Sequence, residues 1–273
     1  MPKIAILQMT SGIDPDANTR AIVSAIEEAK AGGAQMLFTP EMCGLLDRDR
    51  KRAAQHIVAE AQNAALKAVR AAAKSAGIAV HLGSLALASE DREKNVNRGF
   101  VVGTDGEITA RYDKMHMFDV ELDTGETWRE STAYQPGEKV VAVKDTPLGT
   151  LGLSICYDIR FPALFAALGR QKCDTIAVPA AFTVPTGKAH WHVMLRARAI
   201  EASAFVIASA QVGEHADGRE TYGHSLVVDP WGQVLLDMGG DGPGLGFCEI
   251  DLDRIAEVRA QLPSLVNRRA IPN

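Results

Sequence analysis

The sequence predicts a single α/β domain, and three observations support this. Apolar runs of strand length alternate with longer segments that have the apolar period of helices packed on a sheet. Short strand-like pairs joined by turn signals are inserted among them. No proline- or serine-rich linker and no shift in composition divides the 273 residues, so we expect one domain over residues 1–273.

The first forty or so positions have a β-α-β pattern. Residues 3–9 read as a buried strand, Pro15 opens a helical pattern that a glycine pair closes, and residues 36–39 read as a second strand. This order implies parallel strands joined by a right-handed crossover. The second strand delivers Glu41 at its C-terminal end.

The next part of the chain departs from the simple alternation of strand and helix. An alanine-rich segment, 56–76, predicts a long helix, and residues 78–87 predict a strand. Two short strands, 99–103 and 107–112, are expected to pair across a turn, and the second ends just before Lys114. Residues 115–136 show neither period and are too long for a simple connection, so we expect this loop to help build a site.

Strands and helices alternate again in the second half. The predicted strands are 140–143, 149–156, 175–178, 204–210, 225–228, 234–236 and 246–250, and the predicted helices are 161–171, 189–203 and 252–262. The glycine-rich run 239–244 follows a strand but precedes another strand, so a turn is favoured over a phosphate-binding loop.

Cys156 ends one of these apolar strands, and polar residues and Pro162 follow at once. We therefore expect the thiol at the C-terminal lip of a strand where a helix begins, with the helix dipole favouring a thiolate. A buried and inert cysteine explains this segment equally well, because free cysteines are usually core residues.

Composition and charge restrict the possible partners. A net charge of −5, with no cluster of basic residues among aromatics, disfavours nucleic acid as a partner. The chain has no apolar run long enough to span a bilayer and no secretory signal, so we expect no membrane partner and a cytoplasmic location. The four cysteines form no Cys-x-x-Cys pair, which predicts reduced thiols without a zinc site or disulfides.

Three predicted strand ends carry chemically capable side chains, namely Glu41, Lys114 and Cys156. Each alone has an ordinary explanation as a surface charge or a core thiol. Strands of one sheet, or of two packed sheets, bring such ends together although they lie far apart in the sequence.

The segments around these residues, Phe38-Thr39-Pro40-Glu41, Tyr112-Asp113-Lys114-Met115-His116 and Ser154 to Pro162, resemble the acidic, basic and thiol signatures of the nitrilase (carbon–nitrogen hydrolase) superfamily, in the same order. The resemblance spans nearly the whole chain. It implies a four-layer α-β-β-α sandwich that assembles into a homo-oligomer, a dimer or larger. It also implies that Glu130 is the second glutamate of the family's site.

The chemistry of such a site follows from the residue types. A thiol that attacks an amide carbonyl needs a base, and Glu41 is the candidate because no histidine lies in a recognisable cysteine-protease motif. Lys114 and the backbone N–H of Tyr157 would stabilise the oxyanion. Glu41 would then protonate the departing ammonia and later activate the water that hydrolyses a thioester at Cys156, while Glu130 would hold Lys114 and the substrate. No metal or organic cofactor is required.

The ionisation of the site can also be predicted. Burial and the neighbouring glutamate would raise the pKa of Glu41, whereas Lys114 would lower it and would favour a thiolate at Cys156.

Within the superfamily, the likeness is greatest to the amidases acting on deaminated glutathione and the related ω-amidases acting on α-ketoglutaramate. This implies a small amide substrate with a free carboxylate, and Arg160 is our candidate for binding that carboxylate. A structural ion pair of Arg160 with Asp158 or another acid is the alternative. Phe182 and Thr186 are further candidates for the substrate pocket, because they lie in a polar loop after a buried strand.

Other functions remain open at this point. Deaminated glutathione is the expected substrate, but an ω-amidase acting on α-ketoglutaramate, an N-carbamoyl amino acid hydrolase, a true nitrilase and a catalytically silent binding protein could all use this fold. His190 and His192 lie two apart on a predicted helix and point to different faces, which argues against a two-histidine metal site. His116 could orient the site, although a hydrogen-bonded loop histidine is the simpler interpretation.

Overall fold

The structure, a computed structural model, describes residues 1–90, 93–121, 123, 125 and 127–270. The described part of the chain contains sixteen strands: β1 (Lys3–Gln8), β2 (Met36–Phe38), β3 (Ala79–Ala88), β4 (Asn95–Val102), β5 (Ile108–Asp113), β6 (Asp119–Glu121), β7 (Thr127–Arg129), β8 (Ala142–Thr146), β9 (Gly149–Leu153), β10 (Thr175–Ala177), β11 (Phe205–Ala208), β12 (Val212–Glu214), β13 (Glu220–Tyr222), β14 (Leu226–Val228), β15 (Val234–Asp237) and β16 (Gly244–Glu249). Its α-helices are α1 (Pro15–Ala31), α2 (Arg50–Ala54), α3 (Ala64–Ala76), α4 (Pro162–Arg170), α5 (Val184–Ala202), α6 (Asp253–Gln261) and α7 (Ser264–Asn267).

Twelve of the strands form two six-stranded sheets. The first sheet has the order β16-β1-β2-β3-β4-β5 and the second the order β15-β14-β11-β10-β9-β8. β1, β2 and β3 are parallel neighbours, which confirms the predicted β-α-β opening, and β9, β10 and β11 are parallel in the second sheet.

Alternating side chains of the first sheet divide between two apolar layers. Ile4 and Ile6 belong to the same buried cluster as Leu151 and Leu153 of the second sheet, so this layer lies between the sheets. The residue between them, Ala5, faces the buried sides of α1 and α3. Helices α4 and α5 contribute to the cluster shared with the second sheet. The resulting four layers confirm the predicted α-β-β-α sandwich.

The helix predicted over 56–76 begins later than expected. The Asn63 side chain caps α3 by accepting a hydrogen bond from the Leu66 N–H at 2.9 Å, and Gly77 ends the helix in the left-handed conformation. Before it, Glu60–Gln62 form a 3-10 turn in which Glu60 pairs with Arg98 and Arg111 of the neighbouring sheet. Ion pairs with the sheet therefore stabilise this segment in a conformation that does not continue the helix.

Two other boundaries differ from the prediction. α5 begins at Val184, earlier than the predicted residue 189, because Pro185 is tolerated in the first helical turn. The loop expected over 115–136 contains the paired strands β6 and β7 and a 3-10 turn, Glu130–Thr132. Three-residue strands are too short to show a period in the sequence.

His81 on β3 predicts an acid-sensitive fold. Its side chain is 2% exposed, and burial lowers the pKa of His81 from 6.5 to about 3. The unfolded chain therefore binds one more proton between these pH values, so the free energy of unfolding should fall by about 1.4 kcal/mol for each pH unit below about 6.5.

Urea unfolding at a series of pH values measures this dependence. His81→Leu should flatten the slope, whereas the control His56→Ala, which changes an exposed histidine, should not. A His81→Leu slope equal to that of the parent protein would assign the acid sensitivity to other groups.

Candidate active site

A bulge in β3 positions Glu41. The pairing of β3 with β4 shifts register between Leu82 and Leu85, and a Cβ at Gly83 would overlap the carbonyl oxygens of Thr39 and Pro40. Ser84 in this bulge accepts a hydrogen bond from the Met42 N–H at 2.9 Å. Close backbone approach, which only glycine permits, thus fixes the segment that follows β2.

Lys114 follows β5, as predicted, and is 3% exposed. Its ammonium lies 2.8 Å from Glu41 Oε1 and 2.9 Å from Glu130 Oε2. The distance from the ammonium to Glu130 Oε1 is 3.1 Å, so both carboxylate oxygens of Glu130 accept hydrogen bonds from Lys114. If these two share one N–H, a third N–H of the ammonium is left for a substrate oxygen.

Asn97, in the middle of β4, is a site residue that sequence reasoning missed. Its amide Nδ2 donates to Glu41 Oε1 at 2.9 Å and to Glu130 Oε1 at 3.3 Å, and its backbone oxygen accepts the Lys114 N–H. The side chain is 1% exposed. A neutral donor therefore joins two carboxylates that would otherwise repel each other. The sequence feature that could have identified Asn97 is a polar residue at an inward-facing position of a buried strand.

Glu130 occupies the 3-10 turn after β7, and its Oε2 also accepts the Phe118 N–H at 2.7 Å. The loop expected to build a site therefore contributes one carboxylate and the backbone contact that orients it. The second oxygen of Glu41 is fixed similarly, by the Ala181 N–H at 3.0 Å.

Cys156 lies after β9 and is 7% exposed. Its φ is +48°, in the left-handed region that non-glycine residues seldom adopt, and its N–H donates to Pro179 O at 2.8 Å. A 3-10 turn, Cys156–Arg160, follows, and α4 begins only at Pro162. The thiol thus sits at the strand end as predicted, but the predicted helix-dipole stabilisation is wrong because no α-helix begins at Cys156.

The surroundings of the thiol favour its protonated form. Burial is the largest effect and raises the pKa of Cys156 well above its ordinary value of 9.0; the Glu41 charge raises it further, and Lys114 opposes both. Burial would also raise the pKa of Glu41, but the charge and hydrogen bond of Lys114, with smaller contributions from Cys156 and Asn97, lower it overall. Lys114 lowers the pKa of both groups, and burial raises the pKa of Glu41, as predicted. The expected thiolate is wrong, because burial and the Glu41 charge outweigh the lysine at Cys156.

The backbone N–H of the residue after Cys156 is a candidate hydrogen-bond donor for the site. Within the described residues, the Tyr157 N–H has no acceptor, so it is available to a developing oxyanion. The aromatic ring of Tyr157 packs edge-on against Phe118 and Phe161. These contacts fix the turn that carries the free N–H.

The four predicted catalytic residues line one cavity of about 840 Å³; they are Glu41, Lys114, Glu130 and Cys156. Phe182 and Thr186 line it too, as expected for pocket residues, whereas Arg160 is not among its described lining residues. Arg160 instead lies over the rings of Phe182 and Tyr157, 5.4 and 5.9 Å from their centroids, and contacts His190 at 3.3 Å.

The ion pair considered for Arg160 is not formed with Asp158. That carboxylate accepts hydrogen bonds from the Tyr112 hydroxyl and the Ile155 N–H, and His116 Nδ1 lies 2.7 Å from it. His116 also stacks on Phe161 with 3.6 Å between ring centroids. Asp158 and His116 therefore brace the turn after Cys156.

His190 and His192 do contact different groups. His192 Nε2 lies 3.0 Å from Asp237, whose other oxygen lies 2.9 Å from His224 Nδ1. The carboxylate thus joins two imidazoles in a surface network outside the cavity that holds Cys156.

The cavity floor combines a thiol, a carboxylate that can accept its proton, and an ammonium that can stabilise negative charge. This combination defines a class of α/β proteins able to transfer acyl groups through a cysteine.

Comparison with known proteins gives the family. The carbon-nitrogen hydrolase model matches residues 3–260. A Synechocystis sp. protein named deaminated glutathione amidase is 39% identical over 266 residues, covering 97% of both chains. The human protein of that name is 36% identical over 272 residues, covering 98% of this chain and 83% of its own. This chain belongs to the carbon-nitrogen hydrolase family.

A solved structure gives a further comparison. An amidase from Nesterenkonia sp. AN1 is similar with a TM-score of 0.82 and 27% identity, covering 98% of this chain and 94% of that one. It is a glutamate-to-glutamine variant that shows covalent addition of the acetamide moiety of fluoroacetamide at its active-site cysteine.

Among the described residues, no helix is both long and apolar enough to cross a membrane.

Proposed function

We propose that this chain is a cysteine-dependent amidase that hydrolyses a linear C–N amide bond of a small carboxylate-bearing substrate, with deaminated glutathione as that substrate. The observation that carries the chemistry is the Glu41 carboxylate held between Lys114 and the Cys156 thiol at the floor of one cavity. The names of the relatives support the substrate.

Acylation begins with the neutral thiol. As Cys156 Sγ attacks the amide carbonyl carbon, Glu41 accepts the thiol proton, so no prior thiolate is needed. The carbonyl oxygen becomes negative and receives hydrogen bonds from Lys114 and the Tyr157 N–H. The C–N bond then breaks, Glu41 returns the proton to the amine nitrogen, and a thioester remains.

Deacylation reverses these roles. Water attacks the thioester carbonyl while Glu41 takes one of its protons, and the proton passes to sulfur as the acid is released. Glu130 and Asn97 hold the side chains of Lys114 and Glu41 in position through both half-reactions. With deaminated glutathione, the departing amine is cysteinylglycine; ammonia departs only with a primary amide such as α-ketoglutaramate.

The cavity supports the larger substrate. Its volume of about 840 Å³ lies at the upper end of the range for small-molecule sites, which is more than a five-carbon amide fills. Its walls also extend beyond the catalytic floor to polar side chains at the mouth.

A substrate panel tests the proposal. Purified protein should hydrolyse deaminated glutathione with a higher kcat/KM than α-ketoglutaramate, an N-carbamoyl amino acid or a nitrile, and Cys156→Ala should lose all detectable activity. Cys248→Ala, which changes a half-buried thiol outside the cavity, is the matched control and should keep it. Preference for α-ketoglutaramate would reassign the substrate, and an active Cys156→Ala would overturn the mechanism.

We further propose that the chain forms a homo-oligomer, at least a dimer, in the cytoplasm. Val193 and Ile200 of α5 are 63% and 42% exposed, which supports an apolar contact surface on that helix. The four cysteines are free thiols, as suits a reducing compartment.

A further inference from the structure

Two arginines at the cavity mouth have no acidic partner among the residues that the structure describes. Of the four arginines that line it, Arg129 pairs with Glu121 and Arg219 pairs with Asp217. In the part of the chain that the structure describes, Arg48 and Arg50 have no carboxylate within salt-bridge distance, and Arg50 donates only to Arg129 O, at 2.9 Å.

Arg48 is nonetheless held in place. Its guanidinium carbon lies 5.6 Å from the centroid of the Trp128 ring, and that of Arg219 lies 5.0 Å from the same ring. The backbone N–H of Arg48, not its guanidinium, donates to Asp217 Oδ2 at 2.8 Å, which ties the Arg48 loop to the segment carrying Arg219. Trp128 Nε1 is buried without a partner among the described residues. The contact with Trp128 therefore positions the Arg48 guanidinium at the cavity wall.

The negative charges near the mouth do not cancel these cations. Asp47 is paired with Arg52, and the two glutamates at the floor are paired with Lys114. Of the described residues that line the cavity, Glu220 is the one exposed acid without an ion pair, against the two unpaired guanidinium groups of Arg48 and Arg50, so the described part of the mouth favours an anion.

The position of Arg48 along the cavity indicates which part of a substrate it meets. Cys156 is buried at the floor, whereas Arg48 is exposed at the mouth. A substrate group that reaches Arg48 must lie several bonds from the reacting carbonyl. In deaminated glutathione, the glycyl carboxylate lies six bonds from that carbon on the departing amine, whereas α-ketoglutaramate has only nitrogen and hydrogens there.

We propose that Arg48, held on Trp128, is a carboxylate subsite for the departing half of the substrate, and that it selects amides whose leaving amine carries a carboxylate. This inference rests on the proposed amidase function. It assigns the preference for a dipeptide-like leaving group to one guanidinium at the mouth.

Paired substrates and variants test the subsite. The parent protein should hydrolyse deaminated glutathione with a kcat/KM roughly tenfold above that of its analogue with a glycinamide end, the ratio typical of one charge-assisted hydrogen bond at an exposed position. Arg48→Gln should lose this preference by slowing only the carboxylate substrate, while Arg48→Lys should keep part of it. Arg20→Gln, an exposed arginine on α1, is the matched control.

The outcomes separate the two proposals. If the parent hydrolyses neither substrate, the amidase assignment fails and the subsite with it. If it hydrolyses both but Arg48→Gln leaves their ratio unchanged, or slows both equally, the subsite is overturned while the amidase assignment stands. Thermal unfolding of Arg48→Gln at the parent's temperature would confirm that the variant is folded.

Discussion

Replacing Lys114 with methionine is expected to destabilise the fold by about 3 to 5 kcal/mol and to abolish amidase activity. The methionine fills the space of the lysine stem but leaves Glu41 and Glu130 as two buried carboxylates, joined only by the neutral amide of Asn97. Removing one partner of a buried pair leaves an uncompensated charge, and activity also loses an oxyanion donor. Urea unfolding and kcat/KM measure the two effects.

The stability loss should depend on pH. In the parent protein the pKa of Glu41 lies below its ordinary value of 4.5, so the ion pair stabilises the fold above about that pH and is lost as the pH falls through the lowered pKa. In Lys114→Met a carboxylate pKa rises, and the folded variant takes up a proton. The difference between the two proteins should therefore be largest at neutral pH and shrink towards about pH 4.5.

A double variant provides the control. Adding Glu130→Gln to Lys114→Met removes one of the two carboxylates and should recover much of the stability without recovering activity. Equal destabilisation at neutral and acid pH would instead indicate a packing defect and would contradict the electrostatic explanation.

Glu41→Gln is expected to lower kcat/KM by about a thousandfold while making Cys156 easier to ionise. The amide keeps the size of the side chain but cannot accept the thiol proton. The charge that raises the pKa of Cys156 is gone, whereas the Lys114 charge that lowers it remains. Catalysis and thiolate formation should therefore change in opposite directions.

The thiolate can be titrated by its ultraviolet absorbance, with Cys156→Ala as the blank for the other three cysteines. The Cys156 transition should lie at lower pH in Glu41→Gln than in the parent. A higher pKa in the variant would mean that Glu41 favours the thiolate in the resting protein, contrary to the neutral-thiol mechanism.

Several parts of this arrangement were predictable because they depend on local pattern. Glu41, Lys114 and Cys156 each follow a strand that its apolar residues reveal, and strand ends are where such side chains meet. Glu130 was assigned through resemblance, since its loop has no period.

Other parts depend on contacts that no local pattern encodes. Asn97 reads as one polar residue in a strand, and its contact with two glutamates requires knowing that residues 41 and 130 lie beside β4. The protonated thiol could not be predicted because the pKa of Cys156 depends on its burial and on the opposing charges of Glu41 and Lys114 beside it. The role of Gly83 depends on how closely β3 passes the β2 end.

The two sheets divide the site between them, and this has a consequence for how the sequence can change. Glu41 and Lys114 follow strands of the first sheet, whereas Cys156 follows a strand of the second. The apolar layer between the sheets therefore sets the distance between Glu41 and Cys156, across which the proposed proton transfer takes place. The side-chain volumes in that layer set the spacing of the sheets, so substitutions that increase or decrease these volumes should lower activity without altering any residue of the cavity. The outer faces of the helices do not set this spacing and can vary more freely.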